Sequence, residues 1–121
     1  AVHSLKDLPT LLPDGIALAA VPEREDPRDV AVVRGAASLA ALPAGARVAT
    51  ASLRRRAQLL ARFAGRLRVE EVRGNVETRL RFLDEGRFDA VVLARAGLRR
   101  LGLEARATEV LEPEVMLPAP G

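Results

Sequence analysis

Short apolar runs recur along the chain, each followed by a segment with helical spacing, and together they predict alternating strands and helices. Gly15 to Val21 reads as a strand leaving the Pro13-Asp14-Gly15 turn. Pro22 to Asp29 then interrupts the apolar pattern with two prolines and charges of both signs, as an exposed connection would. From Val30 the expected order is strand (30–33), short helical turn (38–42), strand (47–50), helix (53–64), strand (67–72), helix (76–85), strand (89–93) and helix (96–101). Such alternation implies parallel pairing with right-handed crossovers. The fold class is α/β, a mostly parallel sheet with helices on both faces.

In the helix over 53–64, Leu53, Ala57, Leu60, Ala61 and Ala64 share one stripe, which predicts the face laid on the sheet, while Arg54, Arg55, Gln58 and Arg62 fall off it. Val76, Leu80 and Leu83 repeat the pattern in the next helix, with Gly86 placed for a left-handed stop. Ala90-Val91-Val92-Leu93 is apolar without alternation, as in a strand covered on both faces. The tail from Thr108 to Gly121 carries three prolines and reads as irregular or as a segment crossing back toward a neighbouring lobe. Residues 1–22 would then belong to a first domain, 23–29 to a hinge, 30–117 to a second α/β domain and 118–121 to a return segment. Both ends read as cut, since the chain opens at Ala1 in a polar run and stops after Leu117-Pro118-Ala119-Pro120.

Composition narrows the chemistry. No stretch approaches the roughly 18 to 20 apolar residues of a membrane span, and no signal peptide pattern opens the chain, so a soluble, cytoplasmic protein is expected. There is no cysteine and only His3 among histidines, which argues against a metal site and against thiolate chemistry. The formal charge is +3, yet the pI is near 10.8, because Lys6 is the only lysine among 19 basic residues. Arginine stays charged and its planar fork suits carboxylate and phosphate. Much of that arginine would be expected merely to solvate the surface.

Two arginine-bearing turns stand out: Thr50-Ala51-Ser52-Leu53-Arg54-Arg55 and Arg73-Gly74-Asn75-Val76-Glu77-Thr78-Arg79. Each follows an apolar run and opens a helix, so free backbone N–H groups and the positive dipole end point at whatever sits there. Ser52 and Asn75 are placed as N-caps. Arg54 and Arg55 in a first helical turn oppose the dipole unless an anion joins them. Gly74 allows close backbone approach beside Arg73 and Arg79. Successive βα units should bring both turns to one edge of the sheet, giving a crevice for a ligand with several carboxylates or phosphates. Arg100 admits two readings, a rim contact or a dipole partner at a helix C-terminus. Ser4-Leu5-Lys6-Asp7 also admits two: a capping box, or opposite charges poised beside a cleft.

At these residues the chain closely resembles the porphobilinogen deaminase (hydroxymethylbilane synthase) family. The resemblance rests on His3-Ser4-Leu5-Lys6-Asp7-Leu8-Pro9, Glu23 to Asp29, Thr50 to Arg55, Arg73-Gly74-Asn75-Val76, Thr78-Arg79-Leu80 and Ala96 to Gly102, in order over nearly the whole chain. It implies stepwise condensation of four porphobilinogen molecules into a linear tetrapyrrole, with loss of ammonia, on a covalent dipyrromethane primer. It implies Asp7 as the catalytic carboxylate, contacting pyrrole N–H groups and stabilising a cationic azafulvene. It implies Lys6, Arg54, Arg55, Arg73, Arg79 and Arg100 as partners of acetate and propionate groups, with Ser4, Thr50 and Ser52 as polar contacts beside them. It further implies a lobe like those of periplasmic binding proteins, a monomer, and primer attachment through a cysteine of a third domain outside these residues. A segment of this extent is expected to be inactive alone. Ala51 departs from the family, where a hydroxyl residue is common.

Two other functions share some of these features. A non-catalytic module binding a polycarboxylate would use the same arginine turns without needing Asp7. A nucleic-acid-binding protein would suit the pI, but three Phe, no Tyr or Trp, and acids interspersed among the arginines supply neither a stacking platform nor a basic stripe.

Overall fold

The computed structural model describes residues 1–120, and Lys6 through its backbone alone. Its elements are β1 (Asp29–Val33), β2 (Arg47–Ala49), α1 (Leu53–Phe63), β3 (Arg68–Glu70), α2 (Val76–Asp84), β4 (Ala90–Ala94), α3 (Arg95–Arg100) and β5 (Glu109–Leu111). Single 3-10 turns form at Leu5–Asp7, Leu39–Ala41 and Glu104–Arg106. The five strands make one sheet in the order β3-β2-β4-β1-β5.

The α/β class is as expected, and the sheet is mixed. β2 pairs parallel with β3 and β4, whereas β1 runs antiparallel to both β4 and β5. The sequence pointed to a parallel β1. All five of its residues are buried, and a run covered on both faces carries no signal for direction. Alternation sorts the core into two layers. Ala31, Val33, Val48, Val69 and Val92 pack with Leu59 of α1 and with Leu39 and Leu42, while Val30, Val32, Ala49, Val91 and Leu93 pack with Leu80, Leu83 and Leu98 of α2 and α3. Helices therefore cover both faces.

Three expectations are corrected. The sheet-facing residues of α1 are Leu59 and Phe63, with Arg55 one turn earlier, and the Leu53–Ala64 stripe faces outward: Leu53 is 82% and Leu60 41% exposed. Small alanines fit either side of a helix, so the stripe was ambiguous, and the side turned inward is the one that carries Leu59, 1% exposed. Gly15 to Val21 forms no strand; it is exposed throughout, with no neighbouring strand among the described residues to accept its backbone bonds. The tail is not wholly irregular, because Glu109–Leu111 pairs with β1 as an edge strand. Thr108 Oγ1 accepts the Val33 N–H at 3.0 Å and Glu109 Oε2 accepts the Leu39 N–H at 2.9 Å, fixing it in register.

The helix ends follow the sequence closely. Ser52 Oγ accepts the Arg55 N–H at 3.4 Å, and Asn75 Oδ1 accepts the Thr78 N–H at 2.9 Å. Gly86, at φ +75°, closes α2 with its N–H on the Leu83 carbonyl. Ser4 instead makes no side-chain cap on the Leu5–Asp7 turn, so the capping box does not form.

Candidate functional site

Because β2, β3 and β4 are parallel, the turns that open α1, α2 and α3 all leave the same edge of the sheet, which brings the two arginine turns together as the spacing implied. The antiparallel β1 adds what the sequence reading missed. Its first residue, Asp29, lies opposite Ala94 at that edge and is 2% exposed. Asp29 Oδ2 accepts from Arg54 Nη2 at 2.6 Å and from Arg55 Nε at 3.0 Å, and its Oδ1 accepts from Arg55 Nη2 at 2.7 Å. The anion demanded by two arginines in a first helical turn is thus supplied by the chain itself. An acid heading a fully apolar run was the signal available, but a parallel β1 would have placed it at the far edge.

The charged connection before β1 is not simply solvated. Asp26 accepts from Arg28 and from Arg95 Nη1 at 2.8 Å, Arg28 Nη1 reaches Glu112 at 2.7 Å, Arg95 bonds Glu104 at 2.8 Å, and Arg99 bonds Glu25 at 2.7 Å. These pairs fasten residues 25–28 to α3 and the tail. The Arg28 side chain, then its backbone N–H, hold the Asp26 carboxyl well below the usual carboxylate range against the cost of burial, with the Arg28 and Arg95 charges adding to the effect. A carboxyl lowered in the folded state stabilises fully above its unfolded value of 3.8 and loses that contribution as pH falls below it. Asp26→Asn is therefore expected to lower the melting temperature at pH 7 and to flatten its decline between about pH 5 and pH 2, as read by thermal melts across that range.

At the second turn, Gly74 holds φ +111°, and a Cβ there would meet Thr78 Cγ2 at 2.8 Å, so glycine alone fits. Arg79 Nε donates to the Gly74 carbonyl at 2.9 Å. Burial, and then the Arg55 charge, push the Arg79 guanidinium below its ordinary value; among the described residues no carboxylate is bonded to it. A half-buried cation near another cation is a place where an anion would be favoured. Arg73 is solvated, 89% exposed at its side chain, and pairs with Glu71.

A cleft of about 510 Å³ opens at the sheet edge, lined by Ser4, Ser52, Arg54, Arg55 and Arg100 together with Arg24, Asp29 and the 21–27 segment. Five of the sequence-selected residues thus share one cavity. Thr50 is outside the lining, 3% exposed, with Oγ1 accepting the Ser52 N–H at 3.2 Å. Arg73, Gly74 and Arg79 stand outside the lining, and Asp7 is exposed at the end of the turn whose Ser4 and Leu5 reach the rim. The Lys6 side chain lies outside the described residues. Four arginines and four carboxylates line the cleft, so selectivity for an anion depends on which donors stay open rather than on net charge. Arg100, in the last turn of α3, makes no ion pair among the described residues and is one open donor group.

Fold and site together define an α/β lobe with an arginine-lined cleft at the C-terminal edge of its parallel strands. Over residues 1–121 the sequence matches the model of the family described as "Porphobilinogen deaminase, dipyromethane cofactor binding domain", and the chain belongs to that family. Similar proteins include one named porphobilinogen deaminase from Gloeobacter violaceus, 60% identical over 124 residues, and one of the same name from Sorangium cellulosum, 63% identical over 121. A third, from Methylobacillus flagellatus, is 57% identical over 121 residues. Each match covers 100% of this chain but 38%, 40% and 39% of the respective relative, so the chain spans about two fifths of the length of the curated relatives it matches. Among the described residues no helix is long and apolar enough to cross a membrane.

Proposed function

We propose that this chain is the part of a cytoplasmic, monomeric porphobilinogen deaminase that holds the carboxylate groups of the dipyrromethane primer and the growing oligopyrrole. In this reading the full-length protein joins four porphobilinogen molecules, releasing ammonia at each step. The observation that carries it is the single cleft shared by Ser4, Ser52, Arg54, Arg55 and Arg100 at the sheet edge. Its donor set fits the ligand: every pyrrole unit brings two carboxylates, and arginine forks and hydroxyls are the groups that bind carboxylates with direction. Bound dipyrromethane would supply the pyrrole end to which further units are joined.

Arg54, Arg55 and Arg100 present donors to carboxylates in the cleft, with Ser4 and Ser52 beside them. Thr50 positions Ser52 through the bond to its N–H. Farther along the same edge, Arg79 and Arg73 receive carboxylates of a longer chain, and Gly74 permits the turn that aims them. Lys6 joins this set from the Leu5–Asp7 turn. Asp7 accepts hydrogen bonds from pyrrole N–H groups in its ionised form and offsets positive charge developing as ammonia departs. Residues 1–22 belong to a first domain that closes the cleft from the other side, residues 23–29 form the hinge, residues 30–117 the second domain, and residues 118–121 return toward the first.

The exposed position of Asp7, outside the lining, favours a second reading: a non-catalytic module that binds a polycarboxylate in the same cleft. Ammonia release separates them. The full-length protein is expected to liberate one ammonia per porphobilinogen consumed, and residues 1–121 alone none; folded full-length protein that binds porphobilinogen without releasing ammonia would support the module.

A further inference from the structure

The carboxylate of Asp29 divides its two arginines unequally. All three nitrogens of the Arg55 guanidinium are engaged inside the protein, Nε and Nη2 on Asp29 and Nη1 on the Val92 carbonyl at 3.1 Å, and the side chain is only 12% exposed. Arg54 gives Asp29 one bond through Nη2, and Nη1 donates to the Leu117 carbonyl. An arginine has five N–H donors, so Arg54 retains its Nε–H and further hydrogens for the cleft, where 25% of its side chain is exposed.

Resting on the reading of the cleft as a carboxylate site, we propose that Asp29 is a positioning residue for ligand binding. It fixes both guanidinium forks at the cleft lining before ligand arrives, Arg55 through two hydrogen bonds and Arg54 through one, and leaves each with free N–H hydrogens. Two adjacent cations repel, and one fixed carboxylate makes their closeness tolerable while leaving a unit of positive charge for the ligand. Ordering a long side chain in advance removes that cost from the binding step. Asp29 touches no ligand in this scheme; its effect passes through Arg54 and Arg55.

The test uses the full-length protein with Asp29→Glu and Asp29→Asn, comparing melting temperature with kcat and KM for porphobilinogen. Asp29→Glu keeps the charge and displaces it by one methylene, so a role in charge balance alone would leave KM unchanged. Positioning is expected to raise KM by about tenfold in both variants, the worth of one charge-assisted hydrogen bond, with a smaller change in kcat. A lowered melting temperature with wild-type KM in the folded variants would overturn the proposal. Should neither variant fold in buffer, both are assayed with trimethylamine N-oxide, which favours the folded state; a KM raised above that of wild type under the same conditions supports positioning, and a wild-type KM overturns it. If wild-type protein shows no turnover, the proposed function fails, and titration of the same variants with citrate still reads the positioning role. Affinity reduced by about tenfold supports it and unchanged affinity refutes it.

Discussion

Asp7→Ala in the full-length protein is expected to lower porphobilinogen turnover by at least about 10²–10³-fold, the usual loss when a group stabilising charge in a transition state is removed. Carboxylate binding should survive, because Arg54 and Arg100 belong to α1 and α3 and Ser52 caps α1, none of them in the Leu5–Asp7 turn. Stability should change little, since Asp7 is exposed. Steady-state rates together with calorimetric binding of porphobilinogen separate these effects. Unchanged turnover in the variant would remove Asp7 from the chemistry and leave the cleft as a binding site alone.

The second large effect is on stability. Arg55→Ala removes two bonds from Asp29 and the donor to the Val92 carbonyl, leaving a carboxylate that is 2% exposed with Arg54 as its remaining side-chain partner. Breaking one side of a buried ion pair costs about 3–5 kcal/mol, and the surviving Arg54 bond points to the lower part of that range. Replacing both ends, as in Arg55→Met with Asp29→Leu, should recover much of the loss, because the desolvation cost of the carboxylate disappears with it. Denaturant unfolding of the three proteins checks this, and a loss below about 1 kcal/mol for Arg55→Ala would show that the pair is no more than a surface contact.

Much of this was readable along the chain. The β2–α1 and β3–α2 units, their Ser52 and Asn75 caps, the Val76, Leu80 and Leu83 face and the Gly86 stop all depend on local patterns, and all appear in place. What local pattern could not supply was the direction of β1. A strand buried on both faces looks the same whichever way it runs, so the arrival of Asp29 against Arg54 and Arg55 was invisible, as was the outward turn of the Leu53–Ala64 stripe that accompanies the burial of Leu59. The ion pairs of Asp26, Arg28, Arg95 and Glu104 were hidden for a related reason. Separations such as 69 residues between Asp26 and Arg95 are set by the sheet and leave no mark in local composition.

The proposed role of this arginine-lined lobe is to serve a deaminase that builds an oligopyrrole on a covalent primer. Its most direct test is the intact mass of the full-length protein, before and after addition of porphobilinogen. The expected result is a mass above that of the polypeptide by one dipyrromethane, rising in pyrrole-sized steps as substrate is added. Correctly folded protein whose mass equals that of the polypeptide and never changes with porphobilinogen would contradict that role.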